Sequence, residues 1–176
     1  ESNFHVVDSE YRGLAALDAV TAIVIAEGYA TADTLSQALS CPVVAAFDSG
    51  NLLKVAQVLQ KKYPQKPIVI AGDDDLTQES INGKNPGKEK AMEAAQLVNG
   101  AVVLPIFAPG EQMSQQLSDF NDLANKSVLG IEAVKRQVGS VVEKVSQQAK
   151  QDSLLKLQVP IEPKQQEIKQ KRALVR

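Results

Sequence analysis

Short apolar runs alternate with amphipathic stretches through the first two thirds of the chain. Ala22–Ala26 ends at Glu27-Gly28, Pro42–Phe47 at Asp48-Ser49-Gly50, and Pro67–Ala71 at Gly72-Asp73-Asp74-Asp75; Ala101–Leu104 is a fourth run. Uninterrupted Val- and Ile-rich runs bounded by turn formers predict strands buried on both faces of a parallel sheet. Helical patterns separate them. Thr31–Leu39 follows the first strand with Thr31 as N-cap, and Asn51–Tyr63 carries Leu52, Val55, Ala56 and Leu59 on one face before Pro64 stops it. Pro86–Val98 has Pro at its start, an Ala91, Ala94, Ala95, Val98 stripe, and Asn99-Gly100 at its end. The order predicts a doubly wound α/β sheet with right-handed crossovers, so the acidic strand endings fall on one sheet edge.

After Leu104 the pattern changes. Pro105–Gly110 reads as a loop, and Gln112–Asn125 as a short helix interrupted by Ser118-Asp119-Phe120-Asn121-Asp122. Residues 127–150 form a long amphipathic helix with Ile131, Val134, Val138, Val141 and Val145 at alternating spacings of three and four. That run is short for a coiled coil and is expected to pack on its own sheet or on a neighbouring domain. Residues 151–176, polar and holding Pro160 and Pro163, read as a basic linker or tail to a missing domain. In the N-terminal segment, residues 1–21, Phe4-His5-Val6-Val7 is a candidate edge strand and His5 a surface or packing residue. Leu76–Pro86 reads as an extended loop.

Composition narrows the chemistry. The 176 residues suffice for one domain with a real core. One Cys (Cys41) and one His (His5) cannot build a structural zinc site, a disulfide framework or a Cys/His catalytic pair. Chemistry must rest on carboxylates, hydroxyls, lysines or backbone groups. No apolar run approaches the roughly 20 residues of a bilayer-spanning helix, and a soluble, reducing, cytoplasmic setting is expected. The chain opens at Glu1 rather than Met and is expected to be a segment of a longer protein. Its net charge of −2 hides an asymmetry. Residues 150–176 hold seven basic groups against three acidic ones, leaving 12 basic and 18 acidic groups in the body.

In an open α/β sheet, ligands bind beyond the carboxyl ends of the strands. Glu27, Asp48 and Asp73-Asp74-Asp75 all fall there. Converging carboxylates repel one another unless a cation neutralises them, and hard oxygen ligands select Mg²⁺ or Mn²⁺. In an extended Asp-x-Asp pair alternate side chains share a face, so Asp73 and Asp75 are the chosen metal pair and Asp74 turns away. Each feature also has a plain structural explanation: a solvated turn for the Asp run, a helix cap for Asp48, polar helix positions for Asp119 and Asp122. A phosphate-loop reading of Gly83–Lys88 fails because Glu89 follows the Lys and the glycine spacing is one short. No Gly-x-Gly-x-x-Gly follows the first strand.

The succession of Ile23–Ala32, Val43–Leu52, Ile68–Asp75 and Asp119-Phe120-Asn121-Asp122 resembles the Toprim domain, more narrowly that of plasmid and phage DNA primases, over roughly residues 20–125. The resemblance implies a Rossmann-like Toprim fold, bounded here at residues 22–126, with a mainly parallel sheet flanked by helices and a long C-terminal helix. It implies Glu27 as general acid/base or metal ligand, Asp73 and Asp75 as catalytic metal ligands for Mg²⁺ or Mn²⁺, and Asp119 and Asp122 as a further acidic cluster of the metal site. Two departures stand out: Thr31 occupies a position where replicative primases carry Asp, and no Gly lies three residues after Asp75. Lys84 and Lys88, with Lys90 beyond them, are candidates for phosphate contact at a helix start.

The expected function is nucleotidyl transfer in primer synthesis during plasmid replication or conjugation, with nucleotides, a single-stranded DNA template reached through the parent protein, and neighbouring domains of the same chain as partners. Neither the zinc module nor the polymerase subdomain of a complete primase is present, so the piece is expected to be weak or inactive alone. A catalytically silent docking module of a mobilisation protein and a Toprim nuclease are the alternatives.

Overall fold

The computed structural model describes residues 3–158. Five strands form one sheet in the order β1-β3-β2-β4-β5: β1 (His5–Val7), β2 (Ile23–Ala26), β3 (Val43–Ala45), β4 (Ile68–Ala71) and β5 (Ala101–Val103). β2 to β5 run parallel, and β1 joins β3 antiparallel at the edge. Among the described residues seven α-helices accompany them: α1 (Tyr29–Leu39), α2 (Ser49–Lys62), α3 (Leu76–Asn82), α4 (Pro86–Leu97), α5 (Glu111–Gln115), α6 (Phe120–Asn125) and α7 (Gly130–Gln158). A 3₁₀ turn, Gly13–Asp18, links β1 to β2.

The continuous apolar runs have their physical reason in two covered faces. Alternate residues of β2 and β4 point opposite ways. Val24, Ala26, Val69 and Ala71 meet α1, α6 and α7 through Leu35, Phe120, Leu123, Val134 and Val138. Ile23, Ile25, Ile68 and Ile70 meet α2 and α4 through Leu52, Val55, Leu59, Ala91 and Ala94. All of these side chains are buried. The long helix therefore packs on its own sheet, and Val138, Val141 and Val145 of its stripe lie against that core while Ile131 stays 40% exposed.

Several boundaries differ from expectation. α1 starts two residues early, capped by Gly28. Thr31 is inside the helix, and its hydroxyl donates to Asp119 Oδ2 at 3.2 Å instead of capping. Leu76–Asn82 is helical rather than an extended loop. It has no buried residue and so no apolar stripe by which periodicity could reveal it. Residues 151–158 continue α7 instead of opening a linker. No Gly or Pro interrupts that stretch, and Gln148 donates to Asp152 one turn on, at 2.8 Å. The rest of the expected tail, 159–176, lies outside the described residues.

The strand order places a topological switch between β2 and β4: the chain leaves β2 for β3 on one side and returns through β4 on the other. Register aligns Ala26 with both Ala45 and Ala71, so the strands end level. Glu27 and Gly72-Asp73 therefore flank the crevice where such sheets bind ligands.

Candidate metal centre

Glu27 follows β2 directly and is half-buried. Burial raises the pKa of its carboxyl, and the Asp75 charge adds to the effect, against partial relief by a hydrogen bond from the Ser49 backbone amide. Asp73 lies deeper. Burial first, then the charges of Glu27, Asp119, Asp75 and Asp122, push its pKa up to about 7. One of its oxygens, Oδ1, is buried with no hydrogen-bond partner among the described residues.

The Asp run is held by the start of α4. Asp75 Oδ2 accepts the Gly87 amide at 3.0 Å, fixing that carboxylate against the helix N-terminus. Gly87 must be glycine for this approach, since a Cβ there would stand 2.8 Å from Asp73 Cβ and 2.9 Å from the Asp73 carbonyl oxygen. Asp74 is drawn the other way, accepting from Asn85 Nδ2 at 2.7 Å and Gln112 Nε2 at 3.0 Å.

Asn85 organises this loop. It is 3% exposed. Its Oδ1 accepts the Lys88 amide at 3.2 Å as the cap of α4 and also the Asp75 amide at 3.0 Å, while Nδ2 donates to Asp74 and to Glu79 Oε2 at 2.8 Å. Sequence reasoning missed it, although Asn before Pro is a legible capping signal. Its second use depends on α3 folding back, which periodicity did not show.

Asp119 and Asp122 reach the same edge from α6, but their oxygens are engaged. Asp119 caps its helix through the Asp122 amide at 2.7 Å and takes the Thr31 hydroxyl. Asp122 accepts the Ser118 amide at 3.0 Å and pairs with Lys126 at 2.7 Å. Asp48, exposed, accepts the Asn51 amide at 2.8 Å as the N-cap of α2. Lys84 is exposed on the turn after α3 and Lys88 half-buried in the first turn of α4; neither ammonium pairs with a carboxylate among the described residues.

Among the described residues no group of three or more Asp, Glu, His or Cys side chains is drawn together to hold a metal ion. The donor chemistry nevertheless fits a hard divalent cation: hard oxygen donors, a buried carboxylate oxygen with no partner among the described residues, and an Asp73 carboxyl whose raised pKa a nearby cation would lower.

The family model of the Toprim domain matches residues 22–128. Two proteins, each described as DNA primase TraC of Escherichia coli, are similar over most of the chain. One is 38% identical over 207 aligned residues, covering 86% of this chain and 14% of that protein. The other is 39% identical over 229, covering 98% and 21%. The chain thus spans about a fifth or less of the length of these relatives. No solved structure matches. Among the described residues no helix is long and apolar enough to cross a membrane.

Proposed function

Because this chain belongs to the Toprim family, we propose that it is the metal-dependent phosphoryl-transfer part of a larger primase, serving nucleotidyl transfer in primer synthesis during plasmid replication or conjugation. The observation that carries the reading is the buried, unpartnered Asp73 Oδ1 at the switch point, flanked by Glu27 and Asp75. The TraC proteins it resembles are DNA primases by name, which supports the substrate class: nucleotides and a single-stranded DNA template brought by the rest of the parent chain.

Asp73 and Asp75 are the residues that would hold Mg²⁺ or Mn²⁺, with Glu27 beside them. When bound, such a cation supplies charge neutralisation and polarisation at a phosphoryl oxygen. Glu27, whose carboxyl is held more tightly protonated than an ordinary glutamate by burial and by the Asp75 charge, is suited to hold and return a proton as general acid/base. The α4 N-terminus fixes Asp75 through Gly87, so that carboxylate need not reorganise. Lys84 and Lys88, unpaired among the described residues, stand at the same helix start, available to phosphate oxygens. Asp119 and Asp122 act at one remove: they brace α6 and contribute negative charge to Asp73.

A second reading, a catalytically silent docking module, is favoured by the absence of a ready metal cluster among the described residues. Thermal unfolding with and without Mn²⁺ separates the two. Saturation to 100 times the dissociation constant stabilises the native state by about 2.7 kcal/mol. The proposal expects a clear rise in melting temperature for the wild-type chain and none for Asp73→Asn with Asp75→Asn. Equal behaviour of the two chains favours docking.

A further inference from the structure

We propose that His5, Tyr29 and Phe47 form a stacking platform for an unpaired nucleobase beside the carboxylates, an inference that rests on reading those carboxylates as a phosphoryl-transfer site. The topology brings the three rings to one edge. β1 pairs with β3 so that His5 stands opposite Ala45, and Ala45 is level with Ala26 of β2. Tyr29 opens α1 two residues after Glu27, and Phe47 precedes Asp48. The His5 and Tyr29 rings lie 5.8 Å apart between centroids, tilted by 41°. Tyr29 is 50% and Phe47 53% exposed, and His5 is exposed as well.

Phe47 is held outward at a cost. Its φ of +72° lies in the left-handed region, which disfavours a side chain bearing a Cβ. Its neighbours are pinned on both sides. The Ala46 amide donates to the Ala26 carbonyl at 2.9 Å, the Ala46 carbonyl accepts from Asn51 Nδ2 at 2.7 Å, and Asp48 caps α2. A strained backbone that projects an apolar ring into solvent, next to a candidate site, is the pattern expected of a ligand contact rather than of core packing.

The surroundings select the ligand. Beside the His5–Tyr29 pair, on the side away from Phe47 and the candidate carboxylates, a groove of about 500 Å³ runs past Asp8, Glu10 and Asp33. Its guanidinium, Arg12, is already paired with Asp8 at 3.0 Å and Glu10 at 3.2 Å. Such a groove repels phosphate but leaves an uncharged aromatic ring unopposed. Adjacent strands are about 4.8 Å apart, which puts the ends of β3 and β1 roughly 5–10 Å from Glu27. A nucleotide with its phosphate at the carboxylates can span that gap through its sugar and set its base on the rings. Stacking tolerates every base, since each has a π-face.

The test is fluorescence anisotropy of a labelled oligothymidylate on the whole 176-residue chain, beside an abasic strand of the same length and charge. The wild type is expected to prefer the strand with bases about tenfold or more. Tyr29→Ala and Phe47→Gly should each weaken binding by roughly 5- to 150-fold, while Tyr29→Phe, which keeps the ring, stays close to wild type. Phe47→Gly should also raise the melting temperature, because glycine accepts the positive φ; weaker binding by a more stable protein cannot come from unfolding. Competition by thymidine triphosphate assigns the base to an incoming nucleotide, and its failure to compete assigns it to the strand; the platform stands in either case. Equal affinity for the abasic strand, no binding of the oligonucleotide, or an unchanged Tyr29→Ala overturns it. Mn²⁺ binding is measured separately: oligonucleotide binding through the rings with no Mn²⁺ uptake would sink the carboxylate reading and spare the platform.

Discussion

Asp73 keeps a proton in the folded chain up to about pH 7, whereas the unfolded chain releases it near the ordinary 3.8. Across that window the folded state binds the extra proton, so stability falls as pH rises, and the loss is complete above the folded value. The metal-free chain should therefore melt at a lower temperature at about pH 8 than at about pH 5, by several degrees. Asp73→Asn should remove that component, and a thermal melt series in chelator checks it. Gly87→Ala acts at the same point by crowding. A Cβ forced 2.8 Å from Asp73 Cβ must push α4 or the Asp loop aside. The expected cost is about 1–3 kcal/mol in urea unfolding, together with weaker Mn²⁺ binding.

Among the elements, α3 and the start of α4 decide whether the Asp run is a solvated turn or a built loop. Asn85 ties both helices to Asp74 and Asp75. Asn85→Ala leaves several of these groups without partners and should cost roughly 2 kcal/mol. Asn85→Asp keeps the cap oxygen but turns a donor into an acceptor facing two carboxylates. Its penalty should accordingly be greater at about pH 8 than at about pH 5, and denaturant unfolding at both values measures it. Sequence patterning located the buried strands and the helices with apolar faces because burial leaves a period. It was blind to α3, whose seven residues include none that is buried, and to the last turns of α7, where residues 151–157 are exposed. Where a helix buries nothing, its existence depends on caps and local bonds, and Gly83 at φ +72° with the Asn85 cap was the only written trace.

At the scale of the molecule, the sheet order turns a linear set of acidic endings into one edge. Glu27 and Asp73 come from neighbouring strands across the switch point; the alternation of runs made their shared edge legible, but the strand order came only with the fold. What the order of residues did not show is which carboxylates are spent. Asp119 and Asp122 carry the same letters as Asp73 and Asp75, yet their oxygens serve a cap, a loop amide and Lys126, partners fixed by three-dimensional folding alone. The near-neutral net charge of −2 likewise conceals a loose cluster of negative charge along this edge, which helps to push up the pKa of Asp73. The most direct test of that cluster is Mn²⁺ titration followed by the electron paramagnetic resonance signal of the free ion. At about pH 8 the wild-type chain should deplete the free signal to a saturating stoichiometry, and more weakly at about pH 6, where a proton on Asp73 competes. Asp73→Asn with Asp75→Asn should leave the signal as in buffer. A wild-type chain that leaves millimolar Mn²⁺ wholly free, or a double variant that binds as the wild type does, contradicts the assignment of this edge as a metal-dependent phosphoryl-transfer site.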